Sequence, residues 1–422
     1  MIDKNTIPVH WEIKKLGEIC LTTSGGTPSR RNPEYYYGDI PWVKSGELDK
    51  GLILDTEEKI TMAALKNSSA KIFPRGTLLI ALYGATIGKI SFLGVDAATN
   101  QAVCGIFQSP YIDHKFLYHF LFFSKPNLVK KSIGGAQPNI SQGILKDLII
   151  PFPPISEQQQ IVTKIEELFS ELDKGKQQLE TVRMQLKTYR QAVLKWAFEG
   201  RFTNKEIKDG NLPISWKYVK IVDIAEKTKN ALKAGPFGSS LKKEYYIKNG
   251  YKIYGQEQVI SGSATLGNYF ISKEKFEELK SNKVKAGDVL ISLVGTVGKV
   301  LILPENCQEG VINPRLIKIS LNNEIYLPKF FKYYFESSIV KSFYSKKAQG
   351  TTMDVLNLNI IKSIPFPLCQ IREQILIINE IETRLSVSDK IVETIENCLK
   401  QSESLRQSIL KQAFEGKLVK II

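Results

Sequence analysis

Two long segments of this chain, 216 residues apart, align without a gap, from Glu157-Gln158 and Glu373-Gln374 to the endings LKWAFEGRF (194–202) and LKQAFEGKL (410–418). Apolar residues recur at steps of three, four and seven in both, as in Ile161, Ile165, Leu168, Leu172 and Leu179, and in Ile377, Ile381 and Leu385. That spacing predicts two amphipathic helices of about 40 residues, roughly 60 Å each. A helix of this length cannot bury its stripe against a small domain and needs a second long helix. The other copy is the natural partner, and a pseudo-two-fold relation would set the pair antiparallel. Pro153-Pro154 before Ser156-Glu157 mark the first start, and Gly200 and Gly416 mark the two ends. Taken alone, the stripe fits a helical bundle or a dimerisation coiled coil equally well.

The duplication extends through the rest of the chain. Each half opens on Pro-x-x-Trp, at Pro8/Trp11 and Pro213/Trp216. Each then runs an apolar strand into a glycine turn, GTLLIALYGATIGKI from Gly76 and GDVLISLVGTVGKV from Gly287. Short strands TNQAVCGIF and INPRLIKIS follow, then the aromatic segments FLYHFLFFS and FFKYYFESS, and both halves close on Ile-Pro-Phe-Pro, at 150–153 and 364–367. Loop lengths drift between the copies while the helices keep theirs. Helix length is therefore constrained by geometry, as in a spacer that carries two variable heads.

Charge is distributed to match. Lys and Arg outnumber Asp and Glu by 17 to 13 over residues 1–150 and by 26 to 15 over 201–368, but balance at 7 and 7 over 151–200 and at 8 and 8 over 369–422. The net charge of +15 thus resides in the globular segments, where it favours a polyanion through counterion release. The five cysteines are scattered without close pairs, which points to free thiols rather than disulfides or zinc. No apolar run is long enough for a bilayer, and MIDKNTIPVHW lacks a signal-peptide core, so no membrane partner and a cytoplasmic location are expected.

Both globular segments mix short β-type runs with Gly, Pro, Asn and Ser turns, and the expected class is α+β. SGGTPSRRNPEYYYG (24–38) offers Thr27, Ser29, Arg30 and Arg31 among three tyrosines, and IPWVKSGEL sets Lys44 and Ser45 beside a strand end. The second half repeats this chemistry in Lys233, Ser239, Ser240, Lys242 and Lys243, with Gln256 and Gln258 in KIYGQEQV. Gln101 and Arg315, in the short strands named above, complete the candidate DNA-binding set. Such residues hold phosphates or read base edges, although any one of them also fits a solvated loop. The glycine turns are not Walker A loops. Gly84 to Lys89 is one residue short and is followed by Ile90 instead of Ser or Thr, and Gly295 to Lys299 is shorter still. They are expected to present Lys89 and Lys299 at a surface. His10, His114 and His119 have no counterparts in the second half, and Asp55, Glu57 and Lys59 only faintly match a nuclease pattern. No catalytic residues, metal ligands or cofactor are expected.

Together, these segments resemble the specificity subunit of type I restriction–modification systems, most of all in Pro-Pro-Ile-Ser-Glu-Gln-Gln (153–159) and the repeated Ala-Phe-Glu-Gly. The second junction, Leu368-Cys-Gln-Ile-Arg-Glu-Gln, departs from this and leaves the second helix start open. The resemblance implies a non-catalytic subunit with target-recognition domains at 1–152 and 204–368 and spacer helices at 153–203 and 369–422. Each domain would read one half of a split, asymmetric site in double-stranded DNA, and the paired antiparallel helices would set the gap. Two modification subunits would supply S-adenosylmethionine-dependent adenine methylation, and restriction subunits ATP-driven translocation and cleavage. Because the two recognition segments differ, two different half-sites are expected, their centres about one helical turn, or slightly more, apart. The competing reading is a coiled-coil scaffold whose basic domains bind RNA or protein.

Overall fold

The runs Leu78–Ala81 and Val289–Ser292, apolar except for Ser292, are buried at every position, the pattern of strands covered on both faces. Each forms the centre of an equivalent sheet in the computed structural model, which describes residues 6–49, 51–132, 139–204, 206–207, 212–347 and 356–419. The chain divides into two compact units, Met1–Leu179 with Glu396–Ile422, and Glu180–Ile395.

The first unit contains β1 (Glu12–Lys15), β2 (Thr22–Ser24), β3 (Tyr36–Val43), β4 (Leu52–Ile53), β5 (Lys59–Ile60), β6 (Ile72–Phe73), β7 (Leu78–Ala81), β8 (Ile90–Leu93), β9 (Ala97–Thr99), β10 (Val103–Ile106) and β11 (Ile149–Phe152). They form sheets ordered β2-β10-β7-β8-β4 and β5-β3-β9-β6, and a pair β1-β11. The second unit contains β12 (Lys217–Val219), β13 (Leu232–Ala234), β14 (Tyr251–Tyr254), β15 (Phe270–Ile271), β16 (Val289–Ser292), β17 (Val300–Ile302), β18 (Gly310–Ile312), β19 (Leu316–Ile319) and β20 (Phe366–Leu368). Its orders, β13-β19-β16-β17, β15-β14-β18 and β12-β20, repeat the first unit strand for strand apart from two edge strands. The α+β expectation holds.

The long helices are Ile155–Phe198 and Ile371–Phe414, 44 residues each. The second begins at the residue equivalent to the start of the first, so its altered junction does not move the start. Gln158 and Gln374 explain why Glu-Gln recurs there. Both are buried: Gln158 accepts from Asp113 N at 2.8 Å and donates to Pro153 O at 2.8 Å. Gln374 accepts from Leu327 N at 2.9 Å and donates to Ile325 O at 2.9 Å and Cys369 O at 3.0 Å. Each amide pins a helix start to the backbone that enters the unit's aromatic helix, His114–Lys130 or Pro328–Phe335.

The helix ends are equally matched. Gly200 and Gly416 take left-handed φ of 77° and 68°, and the N–H groups of Arg201 and Lys417 close back on Trp196 O and Gln412 O at 3.1 and 2.8 Å. A Cβ on Gly416 would lie 2.3 Å from Pro8 Cγ, and one on Gly200 2.3 Å from Pro213 Cγ. The opening Pro-x-x-Trp of each unit therefore docks on the Ala-Phe-Glu-Gly end of a long helix. In the first unit the two helices run antiparallel, with Asp173 paired to Arg406. In the second, Asp389 takes the equivalent Arg190 at 2.5 Å. Part of the expected stripe stays open: Val182, Tyr189, Trp196, Ile391 and Leu405 are 38–50% exposed, because a helix pair covers only a narrow seam.

His119 belongs to the packed interior of the first unit. It is buried edge-on to Tyr118 and Phe169, at 5.3 and 5.8 Å, and burial pushes its imidazole down to about 4. An unfolded chain takes up this proton near 6.5, so the contribution of neutral His119 is complete above pH 6.5 and is lost progressively toward pH 4. His119→Leu should flatten the pH dependence of urea unfolding in that window, and an unchanged pH profile would count against this role.

Candidate nucleic-acid interface

In each unit two parallel strands, β3 with β9 and β14 with β18, end side by side, with Val43 opposite Thr99 and Tyr254 opposite Ile312. The chain leaving the first of each pair is locked by a buried side chain three residues on. Lys44 N donates to Glu47 Oε2 at 2.9 Å, and Gly255 N to Gln258 Oε1 at 2.7 Å. Glu47 also accepts from Glu57 N at 3.0 Å, and Gln258 donates to Leu266 O at 2.7 Å, so each clamps the loop beyond it. Gln258, expected to offer its amide to nucleic acid, is fully buried and positions the loop instead. The shared three-residue spacing, that of a capping box, was the signal available in the sequence for these two clamps.

A glycine-bearing loop presses on the last residue of the second strand in the first unit, and on the residue just after it in the second. A Cβ on Gly25 would lie 2.2 Å from Thr99 O, and one on Gly235 1.9 Å from Asn313 O, so neither position admits a side chain. Gly25 N and Gly235 N donate to Val103 O at 3.0 Å and Leu316 O at 2.9 Å. The backbone frame is thus built twice, and the side chains on it differ.

In the first unit Thr27 Oγ1 donates to Gln101 Oε1, which brings two predicted residues together from 74 positions apart. Arg30 stacks 4.2 Å from the Tyr36 ring and pairs with Glu58 at 2.7 Å. Lys44 reaches Glu57 at 2.9 Å and Glu58 at 3.1 Å. Arg30, then Lys44, hold the Glu58 carboxyl below its usual range. Ser29 and Arg31 are exposed, and Ser45 opens the short turn Ser45–Glu47. In the second unit Arg315 Nη1 donates to Gln256 Oε1 at 3.4 Å, Gln256 Nε2 donates to Val294 O, and Asn313 Oδ1 accepts from Arg315 N at 2.9 Å.

The remaining predicted residues lie around these clusters. Lys233 sits on β13 in register with Lys318, and Ser239 and Ser240 lie in a turn after exposed Phe237. Lys242 pairs with Glu244 at 3.6 Å, and Lys243 is exposed. Both glycine turns join antiparallel strands, β7 to β8 and β16 to β17, and so lack the strand-to-helix setting of a phosphate loop. Lys89 is held by Asp49 at 2.8 Å, whereas Lys299 is exposed. Glu58 was not anticipated, because pairing across a sheet leaves no local spacing to read. Among the described residues, no cluster of three or more His, Cys, Asp or Glu could hold a metal, and no helix is long and apolar enough to cross a membrane.

The comparisons with known proteins agree with this doubled recognition fold. The family model for the type I restriction modification DNA specificity domain matches residues 8–181 and again 213–401. The chain belongs to that family. It is 29% identical over 337 residues to the type I restriction enzyme EcoBI specificity subunit of Escherichia coli, covering 76% of this chain and 69% of that one. It is 25% identical over 432 residues to the EcoKI specificity subunit of Escherichia coli strain K12, covering 98% and 90%. A chain from a structural study of type I R-M complex assembly and conformational transition superposes with TM-score 0.72 at 17% identity, covering 97% of this chain and 99% of that one. The HsdS subunit from Thermoanaerobacter tengcongensis gives 0.55 at 18% identity, covering 97% and 98%. The scaffold reading, with RNA or protein as partner, finds no support among these relatives.

Proposed function

We propose that this chain selects the DNA site of a type I restriction–modification complex, with one recognition domain per half-site. One observation carries this reading: an equivalent backbone frame is built twice and furnished differently, with Thr27 and Gln101 in one unit and Gln256 and Arg315 in the other. One frame with two side-chain sets suits two different half-sites, since donor and acceptor patterns discriminate base pairs in the major groove. The recognition domains are assigned to 1–152 and 204–368, and the spacers to 153–203 and 369–422. The basic excess of the globular segments supplies phosphate attraction, and Ser29, Arg31, Lys243 and Lys299 are placed on the surface to use it.

Helices of 44 residues, about 66 Å each, set the gap between half-sites. The chain itself performs no chemistry. Two modification subunits methylate adenine, restriction subunits translocate and cut, and the assembly works in the cytoplasm. Exchange of residues 1–150 for another recognition domain, followed by methylome sequencing, tests the assignment. One half of the methylated motif should change and the other should persist. Changes in both halves, or in neither, would overturn it.

Arg315→Ala should weaken binding of one half-site by roughly tenfold and relax its sequence preference, as expected for a base-reading arginine. Competition with duplexes altered in one half-site at a time reads this out. A uniform loss across all sequences would reassign Arg315 to phosphate.

A further inference from the structure

We propose that Tyr37 stacks its ring against a base step of the half-site read by the first recognition domain, and unstacks or kinks that step. The inference rests on the DNA-reading function proposed above. Among the described residues, Tyr37 is the one non-glycine with positive φ, at 64°. L-residues with a bulky side chain avoid this region, and a residue kept there marks a site where conformation serves function. The surroundings impose it. Tyr36 and Ile40 both pair with Ile60, so β3 bulges between them against β5. Gly38 is pressed onto the partner strand so closely that a Cβ would lie 2.3 Å from Ile60 O. Thr61 fastens the preceding turn, N to Tyr35 O at 3.0 Å and Oγ1 to Glu34 O at 3.1 Å.

The consequence is a ring thrust outward. Tyr37 is 96% exposed, whereas its neighbour Tyr36 is buried and donates its hydroxyl to Pro28 O at 2.7 Å. Pro28 lies in the loop that carries Thr27, Ser29, Arg30 and Arg31. Tyr37 also lines a recess of about 490 Å³ together with Arg30, Tyr36, Glu57, Glu58 and Lys59. An aromatic face held in water beside a loop of phosphate-binding chemistry has a matching partner in the face of a base. Side chains inserted at base steps kink the duplex, and flexible pyrimidine–purine steps yield most readily. Glycine or asparagine would satisfy the backbone at position 37 with less strain, so the backbone does not account for the tyrosine.

The test uses the full chain assembled with its modification subunits and duplexes carrying its own methylated motif. 2-Aminopurine is placed in turn at each step of the half-site that the domain exchange assigns to residues 1–150. Binding by the parent complex should raise aminopurine fluorescence at one step. Tyr37→Gly should abolish that rise and weaken binding by about tenfold, the usual scale of one stacked base, while raising the denaturation midpoint of the isolated full chain. Tyr37→Asn should behave like Tyr37→Gly, and Tyr37→Phe should restore both signal and affinity. Binding by Tyr37→Gly within about twofold of the parent, or an unchanged aminopurine signal, overturns the inference. So does loss of the modification subunits from the purified variant, which would assign the ring to a protein contact. A parent complex that does not prefer its motif to a scrambled duplex overturns the DNA reading itself, which distinguishes the two failures.

Discussion

Replacing Phe414 by alanine should cost the first unit about 3–5 kcal/mol, the range for deleting a fully buried phenylalanine. The ring is fully buried, 5.2 Å from Phe116, 5.1 Å from Phe120 and 5.6 Å from Phe123. It comes from the far end of the chain and fills the centre of a domain whose strands all lie before residue 153. The surrounding rings stand on one helix, His114–Lys130, and cannot close inward without unwinding it. The cavity would therefore persist, which places the cost toward the upper part of the range. Phe198→Ala should cost the second unit a similar amount, because Phe198 lies 5.1 Å from Phe330 and 5.0 Å from Tyr334. Urea unfolding followed by site-specific probes in each unit would check both variants. A change below about 1 kcal/mol, the centre of the distribution for point mutations, would mean that the helix ends do not anchor the units.

The second large effect concerns the spacing of the recognised site. Seven residues inserted after Thr181 in one helix and after Asn397 in the other leave the pairs Asp173–Arg406 and Arg190–Asp389 intact, because both insertions fall between them. A heptad turns the helix by only about 20° short of whole turns, so the apolar seam stays facing its partner. It adds about 10 Å, no more than about three base-pair steps of 3.4 Å. The methylated motif should keep both half-site sequences and lengthen its gap. An unchanged gap, or a changed half-site, would refute the spacer role of the helices. Insertion in one helix alone should instead disrupt the pair, because it breaks one of the two ion-pair registers.

The frame of the two units also explains why so many glycines and prolines recur in the repeat. Gly25 and Gly235 stand where a neighbouring carbonyl would lie within 2.2 and 1.9 Å of any added Cβ, and Gly200 and Gly416 where a proline ring would lie within 2.3 Å. These contacts hold a rigid platform, and the residues beside them are free to differ between units. A recognition protein needs this division, since a side chain reads a base only if its backbone is placed within a fraction of an ångström.

Local order was legible in the amino-acid sequence because its causes are local. The period of Ile161, Ile165 and Leu168 dictates a helix, the run Leu78–Ala81 a buried strand, and the 216-residue offset a doubled architecture with helices of equal length. Charge counting was enough to separate basic globular segments from neutral helical ones. Only the tertiary structure decided which of the candidate side chains face one another. Thr27 meets Gln101, Arg30 and Lys44 share Glu58, and Gln258 turns inward, because sheet order brings together segments that are far apart in the chain. The same is true of Pro8 on Gly416, where the first residues of the fold close onto the last helix. Periodicity records the neighbours of a residue along the chain, whereas a contact across sheets depends on every strand between them.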